Sequence, residues 1–256
     1  MEMITARDNK NIKEYIKLMN NKSERDEQRL FVLEGVKVVL EAFSEGAMVD
    51  KLFITEDCFL KHKAELKQTT TETETFFISK ECAAKMSGTK SPQGIFCVCK
   101  KKENTVSGDY KAGILLCSLS DPGNLGTIIR TAEGLGITDV FLSKDCCDIY
   151  NPKVVRSTMG SILRLNISVV DDVKSFVQQS TATTIAAVVG DADTPQTITY
   201  GDKNLLLIGN ESKGIDSEIV ALCNKKITIP MKGRSESFNA SVAAGILMWE
   251  IVAKLW

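Results

Sequence analysis

The chain has 256 residues, 43% of them hydrophobic and 25% charged, with a net charge of −1. That is the make-up of a soluble globular protein long enough for two domains, and without the basic excess of many nucleic-acid binders any nucleic-acid contact must come from local basic clusters. No apolar run approaches the ~20 residues of a membrane-spanning helix, and Met1-Glu2-Met3-Ile4 lacks the apolar core of a signal peptide. The eight cysteines form no CxxC pair and His62 is the sole histidine, so no metal site is expected. Several cysteines sit in apolar runs, such as Ile95-Phe96-Cys97-Val98-Cys99, where they read as small core hydrophobes. Unpaired thiols in this number suit a reducing, cytoplasmic setting.

Residues 8–29 are rich in Lys, Glu, Asn and Arg, with Ile12, Ile16 and Met19 at helical spacing. This predicts one thin amphipathic helix followed by a charged connection. A strand follows at Arg29-Leu30-Phe31-Val32-Leu33, ending at Glu34-Gly35, and then a helix over Val36 to Ala42 that stops near Gly46. Strands are predicted at 51–54, 75–78 and 95–99, with helices around 57–67 and 80–87, an alternation that suggests a small α/β sandwich. Lys100 to Lys111 is polar, rich in turn-formers and without apolar period, which makes it the best linker in the chain. The expected division is therefore 1–100, a linker at 101–111, and 112–256.

After the linker the rhythm changes. Ile114-Leu115-Leu116-Cys117-Ser118-Leu119 is an apolar strand of the kind found in sheets covered on both faces. Helices are predicted at 124–135, 152–159, 171–179, 216–222 and 238–254, and strands at 139–142, 167–170, 184–189, 204–208 and 226–229. Strands alternating with helices mean an α/β domain with a mostly parallel sheet and helices on both faces.

In such sheets ligands bind outside the carboxyl ends of the strands, and three polar segments hold that position. The first, Asp121-Pro122-Gly123-Asn124-Leu125-Gly126-Thr127-Ile128-Ile129-Arg130, opens as an ordinary helix N-terminus. Capping does not account for Asn124 and Arg130, whose separation places them on different helix faces unless the first turn is irregular. The second is Gly209-Asn210-Glu211-Ser212-Lys213-Gly214, which a turn would explain only in part. It fits neither a Walker loop nor a GxGxxG fingerprint. The third runs from Ile227-Thr228-Ile229-Pro230-Met231 through Lys232-Gly233-Arg234-Ser235-Glu236-Ser237-Phe238-Asn239, where Ser237 or Asn239 caps the final helix.

Together, Asn124-x-Gly-x-x-x-Arg130, Ile208-Gly-Asn-Glu-Ser-Lys-Gly214 and Ile229-Pro-Met with Ser237-Phe-Asn239-Ala-Ser resemble, in order and placement, the three motifs of the SpoU (TrmH-like) family of SPOUT RNA ribose 2′-O-methyltransferases. Asn151-Pro152-Lys153-Val154-Val155-Arg156-Ser157-Thr158-Met159-Gly160 is similar to a further family segment. Arg29-Leu-Phe-Val-Leu-Glu34-Gly35 and Ser91-Pro-Gln-Gly94-Ile95 resemble the family's substrate-binding domain. Phe238 stands where Leu is usual, which touches pocket shape.

The resemblance implies a small ribosomal-protein-like α/β domain over 1–100 that binds the RNA substrate, and a methyltransferase domain over 112–256 closed by a trefoil knot. It also implies S-adenosylmethionine as cofactor, a homodimer, and an RNA substrate, with ribosomal RNA and guanosine favoured and transfer RNA the alternative. For site residues it implies Arg130, Asn124, Glu211, Ser237 and Asn239 at the chemistry, and Gly209, Asn210, Ile229, Met231 and Phe238 at the cofactor. Arg29 and Arg156 are the expected RNA contacts, with Lys10, Lys13 and Lys17 as weaker candidates beside their reading as a solvated helix face. A guanidinium keeps its proton in essentially every protein setting, so Arg130 is expected to clamp a phosphate and stabilise a developing alkoxide. His62, outside all three motifs, is expected at the surface. A non-catalytic RNA-binding protein on the same fold, and an enzyme acting on a nucleotide-like metabolite, are the rival readings.

Overall fold

The computed structural model describes residues 3–66, 73–103 and 110–255; residues 104–109 of the expected linker lie outside them. The chain divides into two compact units, Met1–Glu103 with Tyr150–Leu163, and Asn104–Ile149 with Arg164–Trp256. The first boundary falls at the expected linker. The segment 150–163, which the sequence groups with 112–256, packs instead with the first unit.

In the first unit a mixed five-stranded sheet has the order β1-β4-β3-β5-β2. Its strands are β1 (Met3–Ile4), β2 (Leu30–Glu34), β3 (Val49–Ile54), β4 (Glu74–Ile78) and β5 (Ile95–Lys100). Helices α1 (Lys10–Asn20), α2 (Lys22–Gln28), α3 (Val36–Ser44), α4 (Glu56–Lys61), α5 (Lys63–Leu66) and α6 (Lys80–Met86) connect them. Helix α1 begins where the Asn9 side chain accepts from the Asn11 amide at 2.9 Å, and Ile12, Tyr15 and Leu18 recur on one face to reach the core. The Tyr15 ring meets Phe53 and Phe96 edge-on at 5.9 and 5.7 Å.

The expected charged connection is α2. Asn21 ends α1 and caps α2, its side chain accepting from Ser23 N. Arg25, within that charged run, is buried, donating to the carbonyl oxygens of Leu18 at 2.6 Å and Met19 at 3.1 Å. A charge-rich run thus hides an inward guanidinium that ties two helices together. Helix α8 (Pro152–Thr158) packs on β2, and the Tyr150 ring lies 4.7 Å from that of Phe31, with Lys101 Nζ 4.9 Å from the Tyr150 centroid. These contacts draw 150–163 into the first unit. His62, expected at the surface, is half-buried.

The second unit has a six-stranded sheet ordered β11-β9-β10-β6-β7-β8, with every pairing parallel. Its strands are β6 (Ala112–Leu116), β7 (Asp139–Ser143), β8 (Asn166–Val170), β9 (Thr183–Ala187), β10 (Asn204–Ile208) and β11 (Lys225–Ile227). Every residue of β6, β7 and β10 is buried. Successive side chains point to opposite faces, so both faces of the sheet centre are covered. Helices α7 (Pro122–Gly134), α9 (Val173–Gln179), α10 (Ser217–Leu222) and α11 (Ala240–Ala253) supply cover, α11 packing on α7 and β10. One side of the core gathers Leu115, Phe141, Leu205 and Leu207.

From β6 the order runs to β7 and β8 on one side, and then β9, β10 and β11 fall on the other. The order therefore reverses between β6 and β10, and the loops leaving their carboxyl ends are neighbours. Strand β6 ends before the expected Leu119, because Ser118 turns out of the strand with φ of 56°. Among the described residues no helix is long and apolar enough to cross a membrane, no group of His, Cys, Asp and Glu has a metal-binding arrangement, and all eight cysteines are free.

Candidate active site

The site is built from the loop after β6, the loop after β10 and the start of α11. Pro122 stands in the first turn of α7, and Asp121 caps that helix, its Oδ1 accepting from Asn124 N at 2.7 Å. The N-terminus of α7 thus takes the form its sequence dictates, and the cap also fixes Asn124, buried in the first turn.

Glu211 occupies the centre. Its carboxylate accepts from Ser120 Oγ at 2.9 Å, Asp121 N at 3.0 Å, Asn124 Nδ2 at 3.1 Å, Ser120 N at 3.3 Å and Asn210 Nδ2 at 3.4 Å. Asn239, which caps α11 by accepting from Ser241 N and Val242 N, donates from Nδ2 to Asn124 Oδ1 at 3.0 Å. One chain of hydrogen bonds, Asn239 to Asn124 to Glu211, therefore joins three segments that are distant in sequence. Of the two candidate caps for the last helix, Asn239 is the one used, and the helix starts at Ala240 rather than 238.

Electrostatics follow from this geometry. Partial burial raises the Glu211 pKa, but the bonds from Asn124 and from the backbone of Asp121 and Ser120 outweigh it and hold the carboxyl at about 2. Such a group is ionised at any working pH and too weak a base to take a proton from a hydroxyl. Its chemistry is that of a fixed anion whose lone pairs are already committed, one that sets the positions of Asn124 and of the loop at 118–121.

The loop after β10 needs its first glycine. A Cβ on Gly209 would fall 2.2 Å from Gly214 C and 2.4 Å from Ile215 N, because the chain closes on itself through paired bonds between Asn210 and Gly214. Within that turn Asn210 Oδ1 accepts from Ser212 N and Lys213 N, and its Nδ2 donates to Ser118 O at 2.8 Å.

Sequence reasoning missed Ser118, Ser120, Ser143 and Asp145. Ser118 holds left-handed backbone that a serine rarely adopts, and three bonds over-determine it: its N–H donates to Ser143 Oγ at 2.8 Å, its hydroxyl to Asp145, and its carbonyl accepts from Asn210. The hydroxyls of Ser118 and then Ser143 lower the Asp145 pKa. The only trace in sequence is the serines flanking Leu119 at the end of an apolar strand, which carry no pattern of their own.

The remaining candidates stay apart from this network. Arg130 is exposed on the outer face of α7, and its guanidinium makes no hydrogen bond or ion pair with the described residues. Ser237 is exposed and makes no hydrogen bond to the cluster, Phe238 is 41% exposed, and Ile229 and Met231 are half-buried. In the first unit, exposed Arg29 pairs with Glu103 at 3.3 Å, Arg156 is half-buried, and Lys17 lies 3.8 Å from Glu24.

A parallel α/β sheet with its polar network at the point of strand reversal defines a ligand-handling domain of the doubly wound class. Residues 111–249, more than half of the chain, match the SpoU rRNA methylase family, and residues 9–97 match the MRM3-like substrate binding domain. The chain belongs to the SpoU rRNA methylase family, and with it to the S-adenosylmethionine-dependent RNA ribose 2′-O-methyltransferases. It is 29% identical over 98% of its length, and 99% of the relative's, to the 23S rRNA (guanosine(2553)-2′-O)-methyltransferase RlmP of Bacillus subtilis. It is 28% identical, over 97% of its length and 91% of the relative's, to the 23S rRNA (uridine(2479)-2′-O)-methyltransferase of Streptomyces viridochromogenes. An AdoMet-bound rRNA methyltransferase from Sinorhizobium meliloti superposes with a TM-score of 0.89, at 25% identity, covering 100% of this chain and 98% of that one.

Proposed function

We propose that this methyltransferase modifies a ribose 2′-hydroxyl of large-subunit ribosomal RNA, with guanosine the favoured nucleotide, and that the Asn239–Asn124–Glu211 network organises its active site. That network is the observation that carries the reading, since it makes one site of the three segments that resemble the family motifs. The name of the Bacillus subtilis relative, matched over nearly its whole length, supports ribosomal RNA and guanosine.

When bound, S-adenosylmethionine supplies an electrophilic methyl group on a sulfonium. The chain's own surface suits its nucleoside: exposed Phe238 directly precedes Asn239 of the network, and half-buried Ile229 and Met231 offer apolar surface for adenine. Gly209 contributes backbone polar groups to the cofactor, and Asn210, whose backbone is bonded to Gly214, shapes the closed loop that presents them. Asn124 and Asn239, locked in register by their mutual bond, orient the ribose, with Ser237 beside them. Arg130, without a partner among the described residues, is available to hold the target phosphate and offset charge building on the 2′-oxygen. Glu211 acts as a positioning residue behind Asn124.

The first unit, residues 1–103 with 150–163, selects the RNA, with Arg29 and Arg156 as phosphate contacts, and a trefoil knot closes the second unit. The homodimer is supported by α11. Apart from Ser241 and Glu250 this helix is apolar, yet Val242 and Trp249, two turns apart on one face, are each 49% exposed. A second copy would cover them. A cytoplasmic setting accords with the free cysteines.

The test incubates the full chain with labelled S-adenosylmethionine and unmodified ribosomal or transfer RNA, followed by alkaline digestion. Alkali-resistant labelled dinucleotides from 23S rRNA are expected. Label found only in transfer RNA would reassign the substrate, and no label in any RNA would overturn the reading.

A further inference from the structure

We infer that the first unit carries a pocket for a single unstacked nucleobase of the RNA, between the end of β2, the loop at 87–93 and the face of α8. This rests on the reading that the chain acts on RNA. The pocket has a volume of about 480 Å³, inside the ~300–1,000 Å³ range of small-ligand sites. Apolar surface comes from Met19, Val32, Val38, Val155 and Met159, beside the polar side chains of Glu34, Thr89 and Ser91.

The pocket is held open by structure that does not depend on a ligand. Glu34, at the end of β2, accepts from Ser87 Oγ, from Gly88 N at 3.0 Å and from Thr89 Oγ1 at 3.1 Å, which pins the loop to the sheet. Gln93 Oε1 accepts from Val36 N at 2.7 Å. The other end of that amide is thereby fixed as an N–H donor at the rim. At Gly88 the absence of a side chain lets the Arg156 guanidinium rest close against this loop.

Met159 is the least expected wall. It ends α8 with φ of 50°, a left-handed cap usually given to Gly or Asn, and it keeps 46% of its surface exposed. Neither capping nor core packing explains a methionine there, whereas a thioether against the face of a flat aromatic ligand does.

The rim selects the class of ligand. Lys90 and Arg156 lie on it, and neither has a hydrogen bond or ion pair within the described residues. Lys37, also on the rim, has only Glu41 at 3.8 Å. A slot with apolar surface, the Glu34 carboxylate as acceptor, and cations and an amide donor beside them matches a base whose own phosphates remain outside. Base recognition in RNA works largely by splaying bases out of single strands, since the deep A-form major groove is closed to side chains. The pocket would therefore read an unpaired nucleotide of the substrate, separate from the one that receives the methyl group.

The test measures binding of the full chain, without cofactor, to fluorescent A, C, U and alternating GU decaribonucleotides, and to a ribose-phosphate decamer without bases. At least one based decamer should bind about tenfold more tightly than the base-free one, in line with the gain from stacking a base. Val38→Trp, which fills the slot, should remove that margin. Met159→Gly should weaken binding severalfold without lowering the melting temperature, because glycine is at ease at positive φ; this separates loss of the wall from loss of the fold. Equal affinity for based and base-free decamers, or based decamers held unchanged by both variants, would overturn the pocket. Binding as expected with no methyl transfer to any RNA would leave the pocket standing and sink the proposed function instead.

Discussion

The two units solve different problems with similar materials. In the second, a fully parallel sheet with buried central strands leaves its polar residues nowhere to go but the strand ends, and there they bond to one another across long sequence distances. In the first, a mixed sheet with α1 and α3 connecting its strands keeps an open, partly apolar slot edged by cations. The network of the second unit is closed and self-satisfied, as suits holding reacting groups in fixed geometry. The slot of the first has unspent donors and apolar surface, as suits a ligand the protein must first find. Variants should separate the two accordingly.

The largest effect is expected where the second unit is only scaffold. Phe141→Ala, at a buried position of β7, should cost about 3–5 kcal/mol in denaturant unfolding, enough to take most of a domain's stability. Arg130→Ala should lower methyl transfer by roughly 10²–10³-fold with S-adenosylmethionine affinity intact; unchanged turnover would remove Arg130 from the chemistry. Asn124→Ala cuts both links of the network and leaves Asn239 and Glu211 each one bond short. A stability loss of about 1–3 kcal/mol is expected, with kcat falling more than cofactor affinity.

Acid titration gives a finer cut. The folded-state pKa of Glu211, about 2, lies below its ordinary value of 4.5. Its contribution is therefore complete above the ordinary value and is lost as pH falls from there through about 2. Melting temperatures of the protein and of Glu211→Gln should differ most above pH 4.5 and converge toward pH 2. A constant gap across that window would show that the carboxylate's charge is not what its partners bind. The smallest effect belongs to the first unit's exposed surface: Arg29→Ala should weaken RNA binding equally for all sequences and lower the salt slope by about one or less, since Glu103 already competes for that guanidinium.

Much of this was legible beforehand. The apolar runs at 114–116, 139–142 and 204–208 announce buried parallel strands, and Asp121-Pro122 announces the start of α7. The order of the three polar segments is enough for family membership, because motif residues and their spacing are local properties of the chain. What periodicity could not disclose is who bonds to whom. Arg25 reads as one more charge in a charged run until its guanidinium is seen on two carbonyls of the preceding helix. The serines at 118 and 120 carry no signal, since their role depends on Glu211 and Asn210 arriving from another strand. Residues 150–163 read as part of the second unit because they lie within it in sequence, and only the packing of α8 on β2 reassigns them.

The sequence by itself thus determined most element types, though not β1 or α2, together with the approximate boundary near the linker and the residues available for chemistry, all consequences of side-chain pattern over short distances. Tertiary structure alone decided that hydrogen bonds from Asn124 and the backbone hold the Glu211 carboxyl low, that Asn239 rather than Ser237 caps and links, and that Arg130 has no partner among the described residues. Each of these depends on which loops the strand order β11-β9-β10-β6-β7-β8 brings side by side, and strand order is fixed by the packing of the whole sheet.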